Sequence, residues 1–267
     1  VGTGAIGFYG EQQIPDMIDE FFRTRERIVR IAQHENGEKF SGELINDFRE
    51  RTRATVKIED GCNRFCSYCV IPYARGRVRS KPLEDIREEI SSLEKKGFSE
   101  IVLVGINLSA YGTDCGASIC DAVELAASFD GIKRVRLGSL EPDHMTPEVT
   151  KRLAECKKLC PQFHISLQSG SDKTLKRMNR HYTAAEYEEL CTRLRSEFED
   201  TTLTTDVMVG FSGETKEDFE ISRDFVKKIG FEKVHVFPYS RRAGTRASEF
   251  PDVVENAEKE RRSREMI

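Results

Sequence analysis

The chain has 267 residues, 38% of them hydrophobic, and a net charge of −4. That length allows one large domain or two small ones, and the mild acidity argues against a nucleic-acid binder working by bulk electrostatics. No apolar stretch is long enough to cross a bilayer and no signal peptide is visible, so a soluble, cytoplasmic, monomeric protein with no membrane partner is expected. The sequence starts at Val1 rather than Met and stops in the charged run "ENAEKERRSREMI", and both ends read as cut from something longer. Eight cysteines are many for such a chain. A disulfide framework does not suit this size without a signal peptide, so tight cysteine spacing points to metal or catalysis.

Residues 1–53 stand apart. "IPDMIDEFF" reads as a short amphipathic helix, "ERIVRIA" as a strand and 33–52 as a polar linker. From residue 54 onward, strands alternate with helices. The expected strands are 54–58, 100–105, 133–139, 163–169, 202–210 and 233–240. The expected helices are 82–97, 121–129, 146–159, 183–198, 215–230 and one that begins near Pro251. Thr215 and Asp218 fit a capping box. Strict βα alternation implies a parallel sheet with right-handed crossovers, either doubly wound or a partial barrel. In both, the active site belongs at the C-terminal strand ends.

The first such end carries "GCNRFCSYC", with Cys62, Cys66 and Cys69 in a C-x3-C-x2-C spacing. A structural zinc site needs four protein ligands, and no second C-x2-C or His pair lies at finger spacing. A cubic iron–sulfur cluster held by three thiolates leaves one iron open to a small molecule. Cys115, Cys120, Cys156, Cys160 and Cys191 read as small buried hydrophobes, with Cys156 and Cys160 one helical turn apart. Cys115 and Cys120 are the pair that could in principle hold another cluster.

Other strand ends offer polar groups. Gly105 and Asn107 close the second strand, Ser139 and Glu141 follow the third, and Gln168 and Ser169 end the fourth. Asp206 sits inside an apolar strand, where a carboxylate is costly unless paired, so it is expected to face a barrel interior. Arg75, Arg77, Arg79, Arg177, Arg180 and His181 form basic clusters that could meet RNA phosphates, with Tyr239 and Phe237 available to stack on a base. The ordinary alternative is solvated arginines and core aromatics.

The cysteine spacing, with Tyr68 just before the third cysteine, resembles the signature of the radical S-adenosylmethionine (SAM) enzymes. Together with "LVGINLSAYG", "RLGSLEP", "HISLQSGSDKTLKRMNRHYT", "DVMVGFSGET" and "HVFPYSRRAGT", it resembles the methylthiotransferases, and most of all the branch that acts on N6-threonylcarbamoyladenosine of tRNA. The resemblance covers residues 54 to about 250. It implies a six-stranded partial (β/α) barrel over 54–267, with 1–53 the α/β tail of an N-terminal domain plus linker. It also implies a [4Fe-4S] cluster on Cys62, Cys66 and Cys69, with SAM near Tyr68 and its methionine part at Gly105 and Asn107; Ser139, Glu141, Gln168, Ser169 and Asp206 are further cofactor-binding candidates by their polar, inward positions. A tRNA substrate and a reducing electron donor follow as partners. In that family one SAM gives a 5′-deoxyadenosyl radical and a second methylates sulfur on another [4Fe-4S] cluster, held by three cysteines of the N-terminal domain. No cysteine precedes Cys62 here, and Ser212 stands where the family usually has proline. The chain is therefore expected to cleave SAM but not to insert sulfur alone. The rival readings are methylthiolation of an isopentenyl-type adenosine or a ribosomal protein aspartate, a zinc-stabilised RNA-binding module, and a βα domain with inert cysteines.

Overall fold

The computed structural model describes residues 14–30, 34, 37–41, 52–251 and 253–266. All six expected strands are present: β1 (Ala54–Lys57), β4 (Glu100–Val104), β5 (Arg134–Leu137) continuing past Gly138 as β6 (Ser139–Leu140), β7 (Gln162–Ile165), β8 (Thr202–Val209) and β9 (Lys233–Pro238). All pairings along this path are parallel: β1 with β4, β4 with β5, β6 with β7, β7 with β8 and β8 with β9. A parallel bridge between Val135 and Leu159 joins the two runs across the break at Gly138. The spatial order therefore follows the chain order. A doubly wound sheet reverses direction at a switch point, and this sheet has none. It is a partial barrel of six strands, and β1 and β9 do not pair among the described residues.

The helices cover the outer face. They are α3 (Leu83–Lys95), α4 (Ile119–Ala127), α5 (Pro147–Ala154), α7 (Ala184–Glu197), α8 (Lys216–Ile229) and α9 (Asn256–Met266), with α1 (Ile14–Thr24) in the N-terminal segment. Their apolar faces and the outward strand residues, such as Leu103, Phe163 and Val207, form one continuous core. Inward positions differ. Along β8, Leu203, Thr205, Val207 and Val209 are buried while Thr202, Thr204, Asp206 and Met208 are half-buried. The lumen is thus the polar, accessible face of the sheet.

Three local expectations need correction. α5 stops at Ala154, so Cys156 and Cys160 lie in the following loop rather than on a helix. Cys120 and Cys191 are buried as expected of small apolar side chains, but Cys115 is exposed. The expected strand 26–32 shows only a bridge at Arg30, and residues 31–32 lie outside those described. The described part of the expected linker docks on the core: His34 binds Glu38 at 2.9 Å and the Ala74 carbonyl at 3.0 Å. Two elements not foreseen bear on the site. One is the two-residue hairpin of β2 (Glu59–Asp60) with β3 (Arg79–Ser80), and the other is the short helix α6 (Asp172–Arg177).

Candidate active site

The cysteine loop is a closed excursion. The β2–β3 hairpin pins its two ends, and Cys62 N–H donates to the Gly76 carbonyl at 3.0 Å. Asp60, fully buried, holds the base by accepting from Lys57 (2.5 Å) and Arg75 (3.2 Å). Gly61 has φ +86°, and a Cβ there would stand 1.9 Å from the Arg77 carbonyl oxygen, so only glycine passes this point. Beyond it the short helix α2 (Ile71–Arg75) begins with proline in its first turn and leads the chain back to the hairpin.

The segment after α6 clamps the loop from the other side. Ser67 donates its N–H to the Met178 carbonyl (2.9 Å) and its hydroxyl to the Arg177 carbonyl (2.8 Å). The Asn179 amide donates to the Phe65 carbonyl at 3.0 Å and the Arg64 carbonyl at 3.3 Å. Ala247 N–H reaches the Ser67 carbonyl from beyond β9. Three segments therefore shape the loop: the hairpin, the stretch after α6 and the chain beyond β9.

Each sulfur receives an N–H. Arg64 N lies 3.5 Å from Cys62 Sγ, Ile71 N 3.4 Å from Cys69 Sγ and Arg180 Nη1 3.4 Å from Cys66 Sγ. Arg180 is buried, and its other nitrogens hold the Glu141 carboxylate, the Ser166 carbonyl (3.3 Å) and the Tyr182 hydroxyl (3.0 Å). Burial pushes the Cys62 thiol up to about 11 and also raises Cys69. A bound metal cluster would oppose that shift by holding the thiolates. Among the described residues, no three His, Cys, Asp or Glu side chains converge as a single metal ion demands. A cube of four irons is different, because it takes each thiolate on a separate iron and spreads its ligands. Three thiols, no carboxylate or imidazole ligand, and an N–H on every sulfur fit such a cluster.

The family profile of the radical SAM superfamily matches residues 56–226. The chain belongs to the radical SAM superfamily. It is 40% identical over 262 residues to the tRNA-2-methylthio-N(6)-dimethylallyladenosine synthase of Pelotomaculum thermopropionicum, covering 96% of this chain and 58% of the relative. It is 39% identical over 258 residues to the threonylcarbamoyladenosine tRNA methylthiotransferase MtaB of Thermotoga maritima, again 96% and 58%. The radical SAM chain thus spans somewhat over half the length of these relatives. Its fold is shared with the radical S-adenosylmethionine methyltransferase TsrM from Kitasatospora setae (TM-score 0.61, 17% identity, covering 73% of this chain and 38% of that one). Methylornithine synthase PylB shares it too (TM-score 0.56, 14% identity, 80% and 61%).

Around the loop of this radical SAM chain, the residues anticipated at strand ends take up different surroundings. Tyr68 packs edge-on against Phe211, ring centres 6.2 Å apart, so its ring is partly committed to protein. Gly105 and Asn107 meet Glu59. A Cβ on Gly105 would strike Glu59 Oε2 at 2.6 Å, and Asn107 N–H donates to that oxygen at 2.7 Å. Glu59 Oε1 and Asn107 Oδ1 are both buried without a hydrogen-bond partner. Burial raises the Glu59 carboxyl to about 8. Ser139 and Asp206 face the lumen: Ser139 Oγ lies 3.1 Å from Ser166 Oγ, and Asp206 pairs with His164 Nε2 at 3.2 Å. Glu141 is the carboxylate beside Arg180. Gln168 takes φ +64° to bridge β8 through its backbone, while Ser169 is fully buried with its hydroxyl accepting from Ser171 N–H.

The basic clusters change most. Arg79 is 2% exposed and holds Glu38 and two backbone carbonyls, so it is a structural cation and not a phosphate contact. Arg180 is spent on Cys66 and Glu141, and Tyr239 is 4% exposed in a cluster with Phe211 and Met178. Arg75 is tied to Asp60, and Arg177 donates to the Ser212 carbonyl at 2.9 Å and lies over the Phe250 ring. Arg77, stacked 4.7 Å from the Phe65 ring, stays exposed, as do His181 and Phe237. Glu59 and Arg64, not singled out in the sequence, are part of the site. The sequence signal for both is adjacency to the cysteine motif.

Proposed function

We propose that this chain is the radical-generating core of a tRNA methylthiotransferase, acting at C2 of N6-threonylcarbamoyladenosine. The observation that carries the reading is the three-thiol loop at the C-terminal strand ends of an open parallel barrel, with a buried arginine on one sulfur. Cys62, Cys66 and Cys69 would hold a [4Fe-4S] cluster whose fourth iron takes SAM. That pair supplies reductive cleavage of the sulfonium, the hard chemistry that a protein site alone does not provide. The chain's own residues fix the loop, bury Cys66 while leaving Cys62 and Cys69 half-buried, and keep Arg180 charged beside Cys66. Glu59 and Asn107 bound the far side of the loop. A second [4Fe-4S] cluster as sulfur source, a cytoplasmic location, a monomeric state and a low-potential electron donor belong to the same reading.

A second reading concerns substrate only, and it rests on the relatives' names, which divide between threonylcarbamoyl- and dimethylallyl-adenosine tRNAs at nearly equal identity. Anaerobic reconstitution with iron and sulfide tests the core: about four irons per chain, and 5′-deoxyadenosine released from SAM with dithionite. Cys66→Ala should lose both. Bound zinc, or a cluster that leaves SAM intact, would remove the enzyme reading. Supplying tRNA bearing one modification or the other, and following which accelerates 5′-deoxyadenosine release, decides the substrate.

A further inference from the structure

A cavity of about 500 Å³ opens where β9 ends and α9 begins, lined by Tyr239, Ser240, Arg241, Asn256, Lys259 and Glu260 among others. Its base is unusual for one side chain. Lys259 is only 6% exposed, yet its ammonium has no carboxylate partner among the described residues. Its one polar contact is the Tyr239 ring, 5.5 Å from Nζ to the centroid. The stem lies on Gly210, where a Cβ would stand 2.4 Å from Lys259 Cγ. The nearby buried carboxylate, Glu214, is already taken by Arg262 and by Gly210 N–H. Buried lysines without a partner are costly. Burial and the positive charge of Arg241 together pull the Lys259 ammonium below its ordinary value, a repulsion that a bound anion would relieve.

Further features of the cavity favour an anion. α9 is eleven residues long and begins at Asn256, so its first free N–H groups and the positive end of its dipole lie at the wall. Its own first-turn acid, Glu258, is turned to Arg261 and Arg262. Arg241 and Ser240 add exposed donors. Glu260 is exposed at the rim, where water screens it. An ammonium, a guanidinium, a hydroxyl and a helix start are a donor set for a phosphate group.

The cavity is also connected to the cysteine loop. Tyr239 packs on Phe211 with ring centres 4.9 Å apart, and Phe211 packs on Tyr68 at 6.2 Å, between Cys66 and Cys69. A group seated on Lys259 is three aromatic contacts from the loop, on the same rim of the barrel.

We propose that this cavity is a phosphate-binding pocket in which Lys259 and Arg241 hold one phosphate group, which on the reading above is a backbone phosphate of the RNA substrate. The RNA assignment rests on the proposed function, whereas the phosphate assignment stands on the pocket itself. Two measurements on the reconstituted protein separate them. The first is the thermal midpoint in inorganic phosphate against chloride of matched ionic strength. The second is tRNA affinity across a salt series. Wild type should be stabilised by phosphate, and Lys259→Met should abolish that gain while keeping the aliphatic stem on Gly210. The slope of log affinity against log salt should fall by about one in Lys259→Met, with Lys259→Arg near wild type. Arg241→Gln, at an exposed position where the guanidinium also donates to the Phe250 carbonyl, gives the same direction. If tRNA binds and neither Lys259→Met nor Arg241→Gln changes the slope or the phosphate response, the pocket is refuted and the RNA function stands. If wild type ignores tRNA but phosphate still stabilises it through Lys259, the pocket stands for a free phosphate or nucleotide and the RNA reading falls. If neither ligand acts, both fail. A slope change without a response to inorganic phosphate assigns the pocket to RNA alone.

Discussion

Arg180 shows how much one side chain can decide. It is a buried cation with one N–H on Cys66 Sγ and another on Glu141. N–H groups and positive charge on a thiolate ligand favour the reduced form of an iron–sulfur cluster. Arg180→Gln should therefore lower the midpoint potential of the reconstituted cluster and slow SAM cleavage at least tenfold, with iron content retained. Spectroelectrochemical titration checks this, and an unchanged potential would leave Arg180 a packing residue. Glu59 makes a different prediction. Its folded value of about 8 lies above its ordinary value of 4.5, because burial penalises the charge. Between those values the folded chain keeps a proton that the unfolded chain has released. The stability of the fold is then full below about pH 4.5 and falls as pH rises toward 8, by at most about 1.4 kcal/mol per unit. Glu59→Gln removes the dependence, so its urea midpoint should gain on wild type steadily from pH 5 to pH 8. Parallel curves would show that Glu59 is ionised in the fold.

At the scale of elements, helix starts hold the site. Thr215 and Asp218 form the expected capping box on α8: Asp218 Oδ2 accepts from Thr215 N–H at 3.1 Å and from its hydroxyl at 3.0 Å. Asp218 also accepts from the Ser171 hydroxyl at 3.0 Å, and Ser171 caps α6. Burial alone would raise this carboxyl, but the bonds from Thr215, Ser171 and Lys173 outweigh it and hold it below the ordinary value. One side chain thus ties the start of α8 to the start of α6, and the end of α6 clamps the cysteine loop. Thr215→Ala should cost about 1 kcal/mol, an ordinary cap. Asp218→Ala should cost about 2 kcal/mol, since two helices lose a partner. It should also release iron faster on chelator challenge, which Thr215→Ala should not. Equal iron release in both would break the proposed link.

Over the whole molecule, the last helix is fastened to the end of β8 by charge. α9 is among the most polar helices of the chain, yet Lys259, Arg262 and Met266 are buried. Arg262 Nη1 donates to Glu214 Oε2 at 2.6 Å and to the Glu214 carbonyl at 3.0 Å, with both side chains buried. Removing one partner of such a pair strands the other. Arg262→Met should cost roughly 3–5 kcal/mol, and adding Glu214→Gln should restore part of it. Chemical denaturation of both variants measures this. A loss under 1 kcal/mol would mean that α9 is held by its apolar contacts alone.

The sequence by itself determined the elements and the motif. Period-2 and period-3.6 patterns, the capping box at Thr215 and the cysteine spacing are written in residues a few positions apart, and the structure keeps all six strands. It also placed the cysteines just after the first strand, and in the structure β1 leads through β2 into Gly61 and Cys62. Tertiary structure alone decided which charges face water. Arg79 and Arg180 look like Arg77 in the sequence, but their partners lie far along the chain: Glu38 is 41 residues from Arg79 and Cys66 is 114 from Arg180. The run that ends the chain reads as solvated until β8 and its following loop are laid beside it. The choice between a doubly wound sheet and a barrel was of the same kind. Each βα unit is locally identical in the two, and only the pairing of each strand with the next in the chain separates them.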